Sequence, residues 1–177
     1  MRLKVAEIDD APAVFDHLQR HFAESGKDGD PIFHPSPGYV TWKKEAFCED
    51  LVKGWQMPIT QNGWERAWLL TQNGLVVGHS DLRGSKLLTS SHRCTFGIGL
   101  ERSARGHGFG KALSMAAITW AKMQPGLDWI DLFVFGGNQP AQALYSSVGF
   151  ERVGAVKDQF RVNGVSIDDI HMVLGLR

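Results

Sequence analysis

The sequence is poor in cysteine and carries no excess charge. Its 177 residues include two cysteines, Cys48 and Cys94, without the paired spacing of a metal motif. A disulfide framework or a zinc cage is therefore not expected, and a reducing cytoplasm fits better. Lys plus Arg and Asp plus Glu each total 19, so the formal net charge is zero. This balance argues against duplex DNA or an anionic membrane surface as a partner.

Long apolar runs are also missing. The most extended uncharged helical stretch, from Ala112 to Ala121, is shorter than the ~20 residues that cross a bilayer. Glu7 and Asp9 interrupt the start of the chain before an apolar run forms, so no signal peptide is expected. With 43% hydrophobic and 21% charged residues, the composition is typical of a globular protein. We expect one domain over residues 1–177.

Hydrophobic periodicity predicts the element order β-α-α-β-β-β-α-β-α-β-β, which indicates an α/β domain with a mixed sheet. Two tight-turn pairs, Asn73-Gly74 and Asn163-Gly164, indicate hairpins. The predicted strands are 2–8, 64–71, 75–82, 93–100, 129–135, 150–160 and 165–174. The first predicted helix has Asp9 or Asp10 as its cap and an apolar stripe that ends at Phe22. The other predicted helices are 39–53, 106–123 and 141–148. A loop is predicted over 24–38.

The most informative segment is the glycine-rich turn at 105–111, where a strand leads into a helix. Gly106, Gly108 and Gly110 remove side chains at the helix start, where backbone amides lack intrahelical acceptors. Arg105 and Lys111 add positive charge beside these amides. A phosphate or pyrophosphate is the expected ligand. A glycine-rich helix entry that serves packing alone is the alternative.

Two familiar phosphate loops match this segment poorly. A Walker-type loop needs Gly at the position of Arg105 and Ser or Thr at that of Ala112. A dinucleotide-binding fingerprint needs a third Gly at the position of Lys111 and an early place in a βαβ unit. Both interpretations are therefore weak.

At this point the sequence resembles the GNAT superfamily of acyl-CoA-dependent N-acyltransferases. Arg105, Gly108 and Gly110 match its Arg/Gln-x-x-Gly-x-Gly/Ala signature. Residues 138–150 match the family's Asn-x-x-Ala-x-x-x-Tyr-x-x-x-Gly-Phe segment. Residues 168–172 are similar to the last hairpin of the ribosomal-protein and polyamine acetyltransferase branches. The resemblance covers 75–176 well and the first third only by element order.

The resemblance implies a mixed sheet of about seven strands flanked by about four helices, splayed between the fourth and fifth strands. It also implies acetyl-CoA as co-substrate and no metal. The pantetheine arm would lie in the splay, and Gly97 and Gly99 would permit a bulge or a close approach. The residues implied to bind the coenzyme are Ile98, Leu100, Arg105, Gly106, His107, Gly108, Phe109, Gly110, Lys111, Asn138 and Tyr145.

The same resemblance makes Tyr145 the proton donor to the leaving thiolate. Some relatives place a carboxylate base in the fourth strand, but Cys94 stands at that position. His92 lies two residues before Cys94, so it has the same parity and would lie on the same face of the strand. It is the predicted base, acting directly or through water. Water-relayed deprotonation without a dedicated base also remains open. Other candidates for the base are Glu101, His79, Asp81 and His34.

The loop after the first helix is expected to build the substrate side. Its carboxylates would attract a cationic amine beside an apolar wall, although a solvated acidic loop is an equal alternative. The predicted substrate residues are Glu24, Asp28, Asp30, Phe33 and His34, with Trp42 or Trp55 as further apolar wall.

The predicted function is an N-acetyltransferase that moves an acetyl group from acetyl-CoA to a primary amine by direct attack through a tetrahedral intermediate. The acceptor would be a small-molecule amine or a protein N-terminal amine. The alternative is a catalytically silent acyl-CoA-binding sensor or interaction module. Neither a nucleic acid nor a membrane is an expected partner, whereas exposed tryptophans are compatible with a homodimer.

Overall fold

The computed structural model describes residues 1–35 and 42–177, and it confirms the predicted element order. The strands are β1 (Arg2–Val5), β2 (Glu65–Gln72), β3 (Leu75–Gly84), β4 (Arg93–Leu100), β5 (Trp129–Phe135), β6 (Glu151–Val162) and β7 (Val165–Gly175). The helices are α1 (Ala11–Ala23), α2 (Lys44–Gln56), α3 (Phe109–Lys122) and α4 (Gln139–Ser147). Three short 3-10 turns cover Ile8–Asp10, Leu88–Ser90 and Arg102–Ala104.

Several helix boundaries differ from the prediction, and those of α3 and α2 do so for local reasons. α3 begins at Phe109 because Gly106 and Gly108 have φ of 77° and 80°, a left-handed conformation that a right-handed helix excludes. α2 begins at Lys44 and continues to Gln56. Gly54 is tolerated near its end because it packs on β2, where an added Cβ would lie 3.0 Å from Glu65 Cγ. The start predicted at 39–41 lies outside the described residues.

All seven strands form one sheet in the order β1-β2-β3-β4-β5-β7-β6. Neighbouring strands are antiparallel except β4 and β5, which are parallel. The β4–β5 pairing covers only three residues on each strand, from Arg93 with Trp129 to Thr95 with Asp131. Both strands continue beyond this point without pairing to each other. The predicted splay between the fourth and fifth strands is thus confirmed.

The helices pack on both faces of the sheet. Leu69 and Leu70 are neighbours on β2, and their side chains point to opposite faces. Leu69 packs with Val14 and Leu18 of α1, while Leu70 belongs to the larger core that contains Leu113 of α3. Residues of α2 join the first cluster, and Tyr145 of α4 joins the second.

The tryptophans divide between the core and the surface. Trp64 and Trp68 are buried, whereas Trp42 and Trp129 are 47% and 39% exposed. Among the described residues, no helix has the length and apolar character needed to cross a membrane.

Candidate active site

A cleft of ≈ 790 Å³ opens where β4 and β5 separate. One part lies between the end of β4, the start of α3 and α4. The other part continues across β4 to the face covered by α1 and α2. Its lining includes Leu18, His21, Phe22, Asp30, Phe33, Trp42, Phe47, Asp50, Trp55, Glu65, His79, Asp81, Arg83, Thr95, Phe96, Gly97, Ile98, Gly99, Leu100, Arg105, Gly106, Gly108, Gly110, Lys111, Asn138, Leu144 and Tyr145.

The separation leaves an unpaired backbone edge on β4. The opposite edge of β4 pairs with β3 from Gly84–Cys94 to Gly78–Leu100. On the β5 side, no described strand pairs with β4 beyond Thr95. Ile98 and Leu100 lie on this segment and line the cleft. An extended ligand with amide groups can pair with such an edge as an added strand.

The glycine-rich turn offers open space above helix-start amides. Gly108 is the N-cap of α3, so the next amides have no intrahelical acceptor. At Gly106 and Gly108, no described atom lies within 4 Å of an added Cβ. At Gly110 an added Cβ would lie 3.0 Å from Leu144 Cδ2. Two of the glycines therefore leave room for an anion, and the third allows α3 and α4 to pack closely.

The remaining residues of this turn lie beside these glycines in the chain. Lys111 is exposed at the start of α3 and lines the cleft. His107 is exposed, its Nδ1 lies 2.6 Å from the Arg105 carbonyl oxygen, and its ring stacks on Phe109. Asn138 lines the cleft and caps α4, where its Oδ1 accepts a hydrogen bond from Ala141 N at 3.3 Å.

Five charged residues, Glu24, Asp28, Asp30, Arg102 and Arg105, join the loop after α1 to this turn, and we call them the acidic clasp. Arg105 pairs with Glu24 and with Asp30, at 2.7 Å from the latter. Arg102 pairs with Asp28 at 2.9 Å and with Asp30 at 2.8 Å. Burial opposes ionisation of Asp30, but hydrogen bonds from Arg105 and Arg102 outweigh it and lower the pKa of Asp30.

The acidic clasp bears on the predicted substrate residues. The carboxylates of Glu24 and Asp30 already have arginine partners, and only Asp30 of the two lines the cleft. Arg105 also donates from Nε to the Leu100 carbonyl at 2.9 Å. The clasp thus holds the turn against the end of β4. An amine-binding role for Glu24 and Asp30 remains a prediction.

Replacing Asp30 by alanine is expected to weaken acetyl-CoA binding three- to tenfold, because loss of charged hydrogen bonds worth about 1.5–3 kcal/mol loosens the turn. The Michaelis constant for the amine should stay unchanged. Calorimetry and steady-state kinetics separate the two effects. Asp28→Ala is the control, because Asp28 is 77% exposed and contacts Arg102 alone within the clasp. A raised Michaelis constant for the amine with unaltered coenzyme affinity would instead support Asp30 as a substrate residue.

Tyr145 places a phenol in the cleft. Its ring is 8% exposed and packs edge-on against Phe96 and Phe150, with centroid distances of 6.2 and 6.1 Å. No described residue forms a hydrogen bond with its hydroxyl. Burial raises the pKa of Tyr145, and the nearby Asp81 raises it further. The hydroxyl therefore stays protonated at neutral pH and can donate to a group in the cleft.

A row of four titratable side chains, Glu101, His17, His79 and Asp81, lies behind the cleft, and we call it the imidazole row. His17 Nδ1 lies 2.8 Å from Glu101 Oε1, and His17 Nε2 lies 3.0 Å from His79 Nδ1. His79 Nε2 then lies 3.6 Å from Asp81 Oδ1. His17 is fully buried, whereas His79 and Asp81 line the cleft. The row runs from the partly exposed Glu101 to Asp81 in the cleft lining.

The two glycines of β4 make room for this row. β3 and β4 pair without a bulge, with Asp81 opposite Gly97 and His79 opposite Gly99. An added Cβ at Gly97 would lie 2.5 Å from Asp81 Oδ1, and one at Gly99 would lie 2.7 Å from His79 Cε1. The close approach allowed by these glycines is thus that of side chains from the neighbouring strand and, at Gly99, also that of His21 from α1, whose Cδ2 would lie 2.7 Å from the added Cβ.

Sequence reasoning missed the histidines of α1. His21 is 7% exposed and stacks on Phe33 at 4.6 Å. Burial, with a further contribution from His17, lowers the pKa of His21 to about 3, so it is uncharged. Both histidines fall on the helical stripe of Val14 and Leu18, and two histidines one turn apart on an apolar face were the available signal.

Glu65 is a further acid that the sequence did not single out. It lines the cleft from β2. Burial, with an added effect of Asp81, raises the pKa of Glu65 to about 7.

His92 and His34, two of the candidates for the base, are not among the residues that line the cleft. His92 is exposed and precedes β4, and its carbonyl accepts from Asp128 N at 2.8 Å. The first residue of β4 that lines the cleft is Thr95. His34 stacks on Phe22 with a centroid distance of 3.7 Å. The structure therefore does not bring His92 or His34 beside Tyr145 in this lining.

The α1–α2 part of the cleft is both aromatic and acidic. Phe33, Trp42 and Trp55, the predicted apolar wall, all line it. Two carboxylates, Asp50 of α2 and Glu65 of β2, lie on the same side. The remaining aromatic side chains there are Phe22 and Phe47.

Comparison with known proteins agrees with this geometry. The model of the acetyltransferase (GNAT) family matches residues 32–150. The L-amino acid N-acetyltransferase AaaT of Escherichia coli is 29% identical over 118 residues, which cover 67% of this chain and 73% of that protein. The mycothiol acetyltransferase of Saccharomonospora viridis is 43% identical over 56 residues, which cover 32% of this chain but only 18% of that protein.

A solved structure matches the whole fold. The yncA protein of Salmonella typhimurium, solved with its cofactor acetyl-CoA, superposes with a TM-score of 0.82 at 15% identity. The match covers 100% of this chain and 94% of that chain. Because the family model spans more than half of the sequence, the chain belongs to the acetyltransferase (GNAT) family.

Proposed function

We propose that this chain transfers the acetyl group of acetyl-CoA to a primary amine by direct attack. One observation carries the proposal. The separation of β4 and β5 places an unpaired strand edge, an open helix-start turn and the Tyr145 hydroxyl in a single cleft. These three features suit the amide-bearing arm, the diphosphate and the thioester of one elongated molecule.

The fit of coenzyme A can be argued piece by piece. The pantetheine amides would pair with the backbone near Ile98 and Leu100. The diphosphate would lie on the amides of 105–111, above Gly106 and Gly108. Because Arg105 is held in the acidic clasp, the positive charge at the turn comes mainly from the start of α3 and from Lys111. Asn138 would face the pantetheine arm.

The chemistry needs a nucleophile, a stabilised oxyanion and a proton for the departing sulfur. The uncharged amine attacks the thioester carbonyl carbon, a C–N bond forms, and the C–S bond then breaks. Tyr145 donates its hydroxyl proton toward the sulfur as negative charge develops there. Its burial supports this role, since a phenol with a raised pKa is a donor over the whole physiological pH range.

The α1–α2 part of the cleft supports an acceptor amine on an apolar body. Carboxylates at Asp50 and Glu65 favour a cationic group, while Phe33, Trp42 and Trp55 provide aromatic surface that can contact a cation or an apolar chain. A small-molecule amine and a protein N-terminal amine with an apolar side chain both meet this description.

The proposal is tested by mixing the purified protein with acetyl-CoA and a panel of amines and by measuring thiol release. The panel contains alkylamines, arylalkylamines, amino acids, polyamines and peptides with a free N-terminus. We expect release with at least one amine and the fastest release with apolar amines. Coenzyme binding by calorimetry without release for any amine would favour the silent acyl-CoA-binding module. Absence of binding at millimolar coenzyme would contradict both.

A further inference from the structure

The imidazole row has an uneven spacing that constrains its protons. The two contacts nearest Glu101, at 2.8 and 3.0 Å, are hydrogen bonds. The third contact, 3.6 Å between His79 Nε2 and Asp81 Oδ1, is longer than the ~2.7–3.2 Å of a nitrogen–oxygen hydrogen bond. The row is therefore hydrogen-bonded at the Glu101 end, whereas the contact between His79 and Asp81 at the cleft end is too long for a hydrogen bond.

The charge of Glu101 fixes the direction of the donors. Burial opposes its ionisation, but hydrogen bonds from His17 and Arg20 outweigh burial and lower the pKa of Glu101. An ionised carboxylate only accepts, so His17 Nδ1 must carry a proton. Burial lowers the pKa of His79 well below its usual value, so its ring carries a single proton. We assign His17 Nε2 as the acceptor in the second contact, so His79 Nδ1 donates to it. His79 Nε2 is then left as a lone pair that points toward Asp81.

Two acceptors consequently face each other at the cleft. An ionised Asp81 and the lone pair of His79 Nε2 cannot hydrogen-bond without a proton between them, which accounts for the wider gap. Asp81 Oδ2 is also buried without a hydrogen-bond partner in the described chain, although Arg83 Nε lies 2.9 Å from it. One added proton would give both acceptors a shared partner.

We propose that Asp81 and His79 together are the general base, which takes one proton from the substrate ammonium into the gap between Asp81 Oδ1 and His79 Nε2. This inference rests on the proposed function. In the step, an N–H bond of the ammonium breaks and its electron pair stays on nitrogen. The proton binds between Asp81 Oδ1 and His79 Nε2. The uncharged amine then attacks the thioester, and the proton leaves to water after the product departs.

The position of Asp81 in the cleft supports this role. Asp81 lies beside Gly97 on the unpaired half of β4, and it is the charged group that acts on Tyr145. The base and the proposed acid thus both line the cleft, Tyr145 from the face covered by α3 and α4 and Asp81 from the opposite face of the sheet. Burial raises the pKa of Asp81, with Arg83 acting against it, so its affinity for a proton exceeds that of an exposed aspartate.

Other charged and titratable groups surround the pair. β3 contributes Arg83, which pairs with Asp81, and β2 contributes Glu65, which interacts with both. α1 contributes the uncharged His21 and, on the far side of Glu101, Arg20. Arg105 and His34 face His21 from the turn and from the loop after α1.

His17 and Glu101 are positioning residues in this scheme. They act through His79, because they fix which of its ring nitrogens is free to accept. Glu101→Gln keeps an acceptor oxygen for His17 and should preserve the arrangement. Glu101→Leu removes the acceptor and should allow both histidines to adopt either tautomer.

The decisive variant is Asp81→Asn. Its amide can donate to the lone pair of His79 Nε2, so the fold and the coenzyme affinity should be kept while the proton site is lost. We expect kcat/KM for an alkylamine to fall about 10²–10⁴-fold, the usual contribution of general acid–base catalysis. The loss should be under tenfold for an aromatic amine, which is already uncharged at neutral pH. The acidic limb of the wild-type profile of kcat/KM against pH should disappear.

Asp131→Asn is the control, because Asp131 pairs with Arg93 and His171 away from the cleft lining. The kcat/KM of this variant should match that of wild type.

If Asp81→Asn lowers kcat/KM equally for the alkylamine and the aromatic amine, or for neither, the assignment of the base is overturned while the proposed function stays in place. ¹⁵N nuclear magnetic resonance of the histidines gives a test that does not need turnover. Wild type and Glu101→Gln should show His79 protonated at Nδ1 and bare at Nε2, whereas Glu101→Leu should show a mixture. A wild-type His79 protonated at Nε2 would also overturn the inference, even in a protein that transfers no acetyl group.

Discussion

Replacing Gly108 by aspartate is expected to raise the dissociation constant for acetyl-CoA about 100-fold, which corresponds to about 2.8 kcal/mol at 1.4 kcal/mol per tenfold change. The aspartate side chain would enter the open space above the helix-start amides and put a negative charge where the diphosphate belongs. Aspartate tolerates positive φ better than most residues, so the backbone at φ 80° is not the main cause of the loss.

The chain provides a matched control in Gly126. It has φ 91°, and no described atom lies within 4 Å of an added Cβ. It follows α3 and lies outside the cleft lining. Gly126→Asp should therefore carry a similar conformational cost and leave coenzyme affinity unchanged. Calorimetric titration of both variants measures the difference, and equal affinities would remove the turn from the phosphate site.

Replacing Tyr145 by phenylalanine is expected to lower kcat about 10²–10⁴-fold, the range for loss of a general acid. The dissociation constant for acetyl-CoA should change less than threefold, because the ring contacts with Phe96 and Phe150 are retained. Single-turnover and steady-state rates of thiol release measure the loss, and circular dichroism checks the fold.

The leaving group provides the control for this variant. An acetyl thioester of an aromatic thiol has a leaving group that needs no proton, so Tyr145→Phe should lower its rate much less. If the rate of thiol release falls equally with both thioesters, Tyr145 acts in packing or in orientation and not as a donor to sulfur. Unchanged kcat with acetyl-CoA would exclude both roles.

Much of the fold was predictable because it depends on local pattern. The limits of β4 and β5 match the prediction residue for residue, since an apolar run bounded by turns is a local property of the chain. The start of α3 was placed three residues too early. Glycines predict a turn well, but the sequence does not state which of them adopt positive φ.

The imidazole row was predictable only in part. His79, Asp81 and Glu101 were candidate bases, but His17 lies 62 residues from His79 and 84 from Glu101 along the chain. Such contacts depend on how α1 packs on β3 and on the register of β3 with β4, which periodicity does not determine. His92 was chosen for its parity in the strand. Parity predicts the face of a sheet but not the distance along the strand, and His92 lies at the end away from the cleft lining.

The short β4–β5 ladder also has a consequence for the coenzyme-free protein. Within the sheet, strands β1–β4 and β5–β7 are joined by only three residue pairs, so the backbone amides that flank the gap should exchange with solvent more readily than those in the interior ladders. A ligand that fills the gap would supply the missing hydrogen bonds to one half and packing to the other. Coenzyme binding would then raise the melting temperature in proportion to the logarithm of its concentration above the dissociation constant, and the co-substrate would act as a structural bridge between the two halves during each catalytic cycle.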